Sequence, residues 1–236
     1  NDLVKNGSIF RTTSDTETIV QLIAQSKREK ILDKITETLF KIQGGYALMI
    51  LTNKKLIGIR DPLGIRPLVI GKLGNSYILA SETCALDIVD AKFIREVENG
   101  EIIVIENNVM KSYKPFNKIK SRPCVFEYIY FARPDSILSG ECAYEYRKRL
   151  GEELAKECNT NAEIVVPVPD SGVPAAIGYS QSSNLQFELG LIRNHYVGRT
   201  FIEPTQNIRS FGVKLKLSST KSILKNKSVI LVDDSL

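Results

Sequence analysis

Two patterns of hydrophobic and polar residues divide the chain. From Gly44 onward, short apolar runs alternate with tight polar turns, and this spacing is typical of antiparallel sheet. A helix is predicted near Glu82–Val89. The runs predicted as strands are Tyr46–Leu51, Leu56–Ile59, Leu68–Ile70, Tyr77–Ala80 and Ile102–Ile105.

Before Gly44 the apolar residues have helical spacing. They predict one helix that contains Ile19 to Ile23 and a second over about Asp33–Ile42. Ser14 and Glu17 have the S-x-x-E spacing of a capping box, which marks the start of the first helix. Asp15 then falls in the first turn, where a negative charge complements the helix dipole.

In the second part of the chain, long apolar runs alternate with helical segments. Ile164–Val168 and Val229–Val232 are nearly continuous apolar runs, as expected of strands buried in a parallel sheet. The first run leads into Asp170–Gly172, and the second leads into Asp233 and Asp234. Open α/β sheets bind ligands at the carboxyl ends of their strands, and a magnesium-bound sugar phosphate suits such a site. The alternative is that these residues only turn the chain and cap the following helices.

A polar, proline-flanked linker over residues 115–123 separates the two patterns. We therefore predict an antiparallel α+β domain over residues 1–114 and an α/β domain over residues 124–236. The chain starts without methionine and stops directly after a predicted buried strand. We expect it to be a piece of a longer protein, cut at both ends.

Composition is that of an ordinary globular protein. Apolar residues make up 43% and charged residues 25% of the chain, which argues against disordered and fibrous classes. The net charge of +5 suits anionic small molecules, and no DNA- or RNA-reading motif accompanies it. We expect no nucleic-acid partner. No apolar run of about eighteen residues predicts a membrane span, and the cysteines, without a CxxC pair, indicate reduced thiols in a cytosolic protein.

Six motifs together resemble the amidophosphoribosyltransferase family, the glutamine-dependent phosphoribosylpyrophosphate amidotransferases. In chain order they are Arg11–Glu17, Gly44–Ala47, Arg60–Leu68, Cys124–Ser136, Tyr196–Ile202 and Val232–Ser235. The third motif is shared with other glutamine amidotransferases of the N-terminal-nucleophile class, whereas the fourth and fifth are highly specific. The resemblance covers essentially the whole chain.

The resemblance implies a fold and an activity. The fold is a partial N-terminal-nucleophile glutaminase domain with an antiparallel layered sheet, followed by a partial type I phosphoribosyltransferase domain with a parallel sheet. The activity forms 5-phosphoribosylamine, glutamate and pyrophosphate from glutamine and phosphoribosylpyrophosphate, as the first step of de novo purine synthesis. The family's nucleophilic cysteine would lie upstream of Asn1. This piece by itself is therefore expected to be inactive.

The resemblance also assigns roles to the residues after the two apolar runs. Asp170, Ser171 and Gly172 match the loop that binds pyrophosphate. Asp233 and Asp234 match the acidic pair that engages the ribose hydroxyls of phosphoribosylpyrophosphate. Ser171, Asp233 and Asp234 are the implied ligands of Mg²⁺. The simpler alternative makes Ser171 the N-cap of the next helix.

Glutamine binding and loop closure are implied at other positions. Asp15 matches the acid that pairs with the α-ammonium group of glutamine. Arg193, Tyr196, Arg199 and Phe201 match the flexible loop that closes over phosphoribosylpyrophosphate and joins the two sites. The alternative for this stretch is an exposed basic loop with an aromatic cluster.

Cys124 is a candidate ligand of a [4Fe-4S] cluster, because some family members bind a cluster through the cysteine at this position and others do not. The sequence leaves the cluster undecided. Cys84, Cys142 and Cys158 are expected to be small buried hydrophobes.

The resemblance further implies a cytoplasmic homotetramer under feedback inhibition by purine nucleotides. Two rival functions are a phosphoribosyltransferase for a preformed base and a non-catalytic sensor of phosphoribosyl ligands. The whole first domain argues against the former, and the lack of a helix-turn-helix motif argues against the latter.

Overall fold

The structure is a computed structural model that describes residues 2–5, 7–158, 160–196 and 213–235. The chain divides into two compact units. The first unit comprises Asn1–Ile70, Asn75–Leu79 and Arg95–Pro123, and the second comprises Gly71–Gly74, Ala80–Ile94 and Cys124–Leu236. The domain bounds predicted from the sequence stay a prediction, and the segment Ala80–Ile94 packs with the second unit rather than the first.

The first half of the chain combines helices with antiparallel sheet. Its helices are α1 Asp2–Lys5, α2 Asp15–Gln25, α3 Ile31–Leu39 and α4 Thr83–Ile88. Its strands are β1 Ala47–Leu51, β2 Leu56–Arg60, β3 Val69–Leu73, β4 Ser76–Ala80, β5 Lys92–Glu96, β6 Ile102–Glu106 and β7 Val109–Tyr113. One sheet has the order β1-β2-β6-β7 with antiparallel pairing at each step, and a second sheet has the order β4-β3-β5. The predicted antiparallel sheet is confirmed.

Strand β6 is the centre of the first unit's core. Ile102 and Val104 pack with Ile35 and Leu39 of α3, on one face of the sheet. Ile103 and Ile105 belong to a second apolar cluster on the other side of the strand. Because successive side chains point to opposite faces of a strand, one continuous apolar run contributes residues to both clusters.

The second half contains a parallel sheet. Its helices are the π-helix Glu127–Phe131, α5 Ala143–Glu157, α6 Val173–Ser183, α7 over residues 213–216 and α8 Lys221–Leu224. Its strands are β8 Ile137–Leu138, β9 Glu141–Cys142, β10 Ile164–Pro167, β11 Gln186–Phe187, β12 Leu191–Arg193, β13 Leu217–Ser219 and β14 Val229–Val232. Strand β10 pairs in parallel with both β11 and β14, whereas β12 pairs antiparallel with β13.

Helices α5 and α6 cross at very short distance because glycines lie at the contact. A Cβ atom on Gly151 would lie 1.8 Å from the carbonyl oxygen of Ala175, and one on Gly178 would lie 1.9 Å from that of Lys148. No larger residue fits at either position. Helix α6 in turn packs its Ala176 and Tyr179 against the parallel sheet.

The predicted full burial of β14 is wrong. Ile230 and Val232 pack with the core of the second unit, but Val229 and Leu231 are 37% and 57% exposed. In the described part of the chain β14 is an edge strand, with the order β11-β10-β14. Its alternate side chains therefore face solvent, although the apolar run itself is continuous.

The cysteine prediction also needs correction. Cys84 is buried as expected, but Cys142 is half-buried and Cys158 is exposed at the end of α5. Among the described helices, none is long and apolar enough to cross a membrane.

Candidate functional site

The loops that follow β10 and β14 lie side by side in the second unit. The N–H of Val168 donates to the carbonyl oxygen of Val232 at 2.8 Å, and the N–H of Gly172 donates to that of Val168 at 3.0 Å. A Cβ atom on Gly172 would lie 2.5 Å from the Val232 oxygen, so this close approach requires glycine. The structure thus brings together the two segments that the sequence predicted to share a site.

An ion pair occupies the loop after β10. Nη1 of Arg193, the last residue of β12, donates to Oδ2 of the exposed Asp170 at 2.5 Å. The Nε atom of Arg193 is buried and has no hydrogen-bond partner among the described residues. Arg193, which was predicted to belong to the flexible loop, is therefore bound to Asp170 of the predicted pyrophosphate loop.

Ser171 is not the N-cap of the following helix, which was the simpler alternative for this residue. The N-cap of α6 is Gly172, and no side chain caps that helix. Ser171 is half-buried, and its hydroxyl donates to no other group in the described part of the chain. This leaves the hydroxyl oxygen available beside the N-terminus of α6, an end of a helix that favours anions.

The acidic pair after β14 is only partly satisfied by its neighbours. The N–H of Asp234 donates to Oδ1 of Asp233 at 2.8 Å, and the Ser235 hydroxyl donates to Oδ1 of Asp234 at 3.4 Å. Oδ2 of Asp234 is buried without a donor among the described residues. Partial burial raises the pKa of Asp233, and the adjacent Asp234 carboxylate adds to the rise. Both effects favour a bound cation, which would offset the negative charge.

The donor set fits a hard cation that brings most of its own ligands. Within the described ranges, no group of three or more His, Cys, Asp or Glu residues could hold a metal ion. The two carboxylates and the Ser171 hydroxyl are oxygen donors, which Mg²⁺ prefers, and the unpartnered Oδ2 of Asp234 is one free ligand atom. Mg²⁺ usually keeps only one or two protein carboxylates and takes further ligands from substrate phosphates.

Asp15 begins α2 and is exposed in the first unit. Ser14 is the N-cap as predicted, and its hydroxyl accepts from the N–H of Thr16 at 3.3 Å. The reciprocal half of the predicted capping box is wrong. Glu17 instead accepts from the N–H groups of Arg11 and Thr12, each at 2.8 Å. The hydroxyl and N–H of Thr12 and the N–H of Arg11 lower the pKa of Glu17.

Comparison with known proteins identifies the relatives of this chain. The amidophosphoribosyltransferase of Rhizobium etli is 52% identical over 99% of this chain and 48% of its own length. The chloroplastic enzyme of that name from Glycine max is 50% identical over 98% of this chain and 41% of its length. The chain is homologous to the amidophosphoribosyltransferases. The resemblance read from the six motifs is thereby confirmed.

Solved amidophosphoribosyltransferase structures have the same fold. The glutamine phosphoribosylpyrophosphate amidotransferase of Bacillus subtilis, solved in complex with ADP and GMP, matches with a TM-score of 0.91 and 46% identity. The match covers 100% of this chain and 52% of that one. Residues 1–87 match the family described as a glutamine amidotransferase domain. The chain spans about half the length of the amidophosphoribosyltransferases it matches.

The structure describes only some of the remaining residues predicted from the amidophosphoribosyltransferase motifs. Tyr196 is fully exposed beside Asn194, whose side-chain oxygen accepts from its N–H at 3.0 Å. Arg199 and Phe201 lie outside the described residues. Cys124 is half-buried at the start of the second unit's main segment.

Sequence reasoning missed the residue that anchors the A-R-P-D-S motif. Oε2 of Glu82 accepts from the N–H of Arg133 at 2.8 Å and from the hydroxyl of Ser136 at 2.7 Å. Oγ1 of Thr83 accepts from the N–H of Ile137 at 2.8 Å. Only the motif itself was visible in the sequence, because contacts between residues so far apart leave no periodic pattern.

Proposed function

We propose that the protein containing this chain is an amidophosphoribosyltransferase, which transfers nitrogen from glutamine to phosphoribosylpyrophosphate and releases glutamate and pyrophosphate. The product is 5-phosphoribosylamine, at the first step of de novo purine synthesis. The observation that carries the proposal is the adjacency of the Asp170–Gly172 loop and the Asp233–Asp234 turn, in a chain homologous to enzymes of that name.

The second unit would bind phosphoribosylpyrophosphate as a type I phosphoribosyltransferase domain. The N-terminus of α6 would place the positive end of the helix dipole near the pyrophosphate, and Arg193 would exchange its bond to Asp170 for a bond to a phosphate oxygen. Asp233 and Asp234 would accept from the ribose hydroxyls and so hold C1 of the ribose in place for attack. Mg²⁺ bound by Ser171, Asp233 and Asp234 would neutralise charge on the leaving pyrophosphate.

The first unit would belong to an N-terminal-nucleophile glutaminase domain. Asp15 stands exposed at a helix start and is not engaged by any described side chain, so its carboxylate is free to pair with the α-ammonium of glutamine. Its position in the first turn of α2 is compatible with that role, because a carboxylate is favourable there with or without a ligand.

Further properties of the complete protein are proposed from the same homology. They are a homotetrameric assembly and inhibition by purine nucleotides, and Cys124 stays a candidate ligand of a [4Fe-4S] cluster. The nucleotide proposal is supported by the ADP and GMP in the Bacillus subtilis relative. A cytoplasmic location is proposed from the sequence alone, and several plant relatives are named chloroplastic.

The test uses the protein expressed from its complete reading frame. We expect phosphoribosylamine to form from phosphoribosylpyrophosphate with Mg²⁺ and either glutamine or ammonia. Failure with both nitrogen donors would refute the proposal. Pyrophosphate release that required a purine or pyrimidine base instead would favour the rival phosphoribosyltransferase.

Replacing Asp15 with asparagine should selectively impair the use of glutamine. Asp15→Asn removes a charge-assisted hydrogen bond worth about 1.5 to 3 kcal/mol, so kcat/KM for glutamine should fall about tenfold or more. Synthesis from free ammonia should survive, because it does not use the glutamine site. Steady-state assays with each nitrogen donor measure the difference.

The matched control is Asp33→Asn, which removes an exposed carboxylate from the first turn of α3. It reproduces the loss of a favourable charge at a helix start without touching the proposed glutamine site. Equal loss of both activities in Asp15→Asn would show that Asp15 has only a structural role.

A further inference from the structure

A cavity in the first unit is lined by residues that have no part in the function proposed above. Its volume is about 310 Å³, near the lower end of the range of small-molecule sites. It is bounded by the first turn of α3 and by strands β2, β6 and β7. The charged residues of its lining are Lys55, Glu106 and Lys111, and most of the other lining side chains are apolar.

The register of the sheet sets the floor of the cavity. Val104 of β6 lies opposite Ile57 of β2 and opposite Lys111 of β7, so the three side chains share one face of the sheet. Ile57 and Val104 are 0% and 6% exposed, and both belong to the core cluster that α3 completes. Lys111 lies on the outer strand of the sheet and is exposed. Helix α3 thus covers two strands of this face and leaves the third open.

The open strand supplies an apolar wall. Val109 and Tyr113 lie two residues on either side of Lys111, on the same face of β7, and are 55% and 39% exposed. Leu32 of α3 lines the cavity from the opposite side. A flat apolar group of one or two rings that lay between helix and strand would remove this apolar surface from water.

The cavity carries a positive charge. Nζ of Lys55, just before β2, pairs with Oε2 of Glu106 at the end of β6 at 3.2 Å, so these two charges offset each other. Lys111 has no ion-pair partner within the described ranges. Its ammonium group therefore leaves one uncompensated positive charge beside an apolar surface, which favours a ligand with an anionic group.

We propose that this cavity binds a small anionic ligand with a planar apolar body, of the class of the aromatic carboxylates. The body would lie against Val104, between Leu32 and Tyr113, and the carboxylate would accept from the ammonium group of Lys111. The site is separate from the proposed glutamine site, because Asp15 does not line the cavity. The proposal therefore goes beyond the proposed function and does not depend on it.

The test is methyl NMR on the protein expressed from its complete reading frame, titrated with naphthoate and with naphthalenemethanol, its uncharged counterpart. We expect naphthoate to shift the methyl signals of Leu32, Val104 and Val109 saturably, and to bind about fivefold more tightly than the alcohol. In Lys111→Met the two probes should bind equally, because the alcohol does not use the charge. The control Lys118→Met removes an exposed lysine that does not line the cavity, and it should bind both probes as the parent does.

A second variant tests the apolar part of the site. Val109→Trp replaces an exposed residue with a ring that fills the open side of the cavity, so both probes should bind more weakly by similar factors. The absence of saturable shifts in the parent would overturn the proposal, whether the cavity binds nothing or another part of the protein covers it. Parental affinity for naphthoate in Lys111→Met would overturn it as well. These readouts do not use catalysis, so they are distinct from the synthase assay that tests the proposed function.

Discussion

Replacing Asp61 with alanine is expected to lower the free energy of unfolding by about 3 kcal/mol or more. Asp61 is fully buried in the first unit. Its Oδ1 accepts from the N–H groups of Leu63 and Ile65 at 2.9 and 3.1 Å, and its Oδ2 accepts from those of Arg66 and Tyr46 at 3.2 and 3.4 Å. Alanine would leave these donors buried without partners, which costs far more than an exposed substitution.

The isosteric variant separates shape from hydrogen bonding. In Asp61→Asn the amide oxygen can serve one pair of N–H groups, while the NH₂ group would face the other pair donor to donor. We therefore expect the free energy of unfolding of Asp61→Asn to lie between that of the parent and that of Asp61→Ala. Urea denaturation of the full protein measures the free energies of unfolding of the parent and the two variants. The control is Asp33→Ala, on the exposed start of α3. If Asp61→Ala unfolded at the same urea concentration as this control, the Asp61 bonds would contribute nothing measurable.

The antiparallel part of the fold could be predicted from the sequence because its signals are local. Strand β6 is a run of four apolar residues between turns, and its pairing with β7 closes through the tight turn at Asn107 and Asn108. Both asparagines have positive φ, a conformation that asparagine tolerates. Strands β5 and β7 were missed because charged residues interrupt their apolar positions.

Burial was harder to predict than strand type. The run Val229–Val232 predicted a parallel strand correctly, because β-branched residues favour strands and the run is too short for a helix. Whether both faces of a strand are covered depends on neighbours that the run itself does not specify. Leu231 is therefore exposed although it lies within an apolar run.

The individual side-chain contacts of the second unit could not be predicted. Arg193 and Asp170 were each singled out, but nothing in their local patterns indicates that they pair. Arg147 lies in a charged helix beside Lys148 and Arg149, so composition suggests an exposed residue. The available signal was its spacing of four residues from the small residues Ala143 and Gly151, which share its buried helix face.

The acidic pair carries the largest functional effect that we expect. Asp233→Asn combined with Asp234→Asn preserves side-chain shape and removes two carboxylates from the turn after β14. Each carboxylate is proposed to make a charge-assisted bond worth about 1.5 to 3 kcal/mol, so kcat/KM for phosphoribosylpyrophosphate should fall about 100-fold or more. The loss should be equal with glutamine and with ammonia, because both nitrogen donors react with the same bound sugar.

The glutaminase half-reaction shows whether that loss is confined to the second unit. Basal hydrolysis of glutamine should stay near the parental rate in the double variant, and only its stimulation by phosphoribosylpyrophosphate should disappear, because a ligand shifts a conformational equilibrium only if it binds.

The matched control is Asp87→Asn combined with Asp90→Asn, two exposed carboxylates of the second unit. Asp90 already has a positive φ that suits asparagine, so this control should fold as the parent does. Near-parental ammonia-dependent synthesis in Asp233→Asn with Asp234→Asn would show that the two residues only turn the chain. The unpartnered Oδ2 of Asp234 argues for the opposite result, since a buried carboxylate oxygen without a donor is costly unless a ligand completes it.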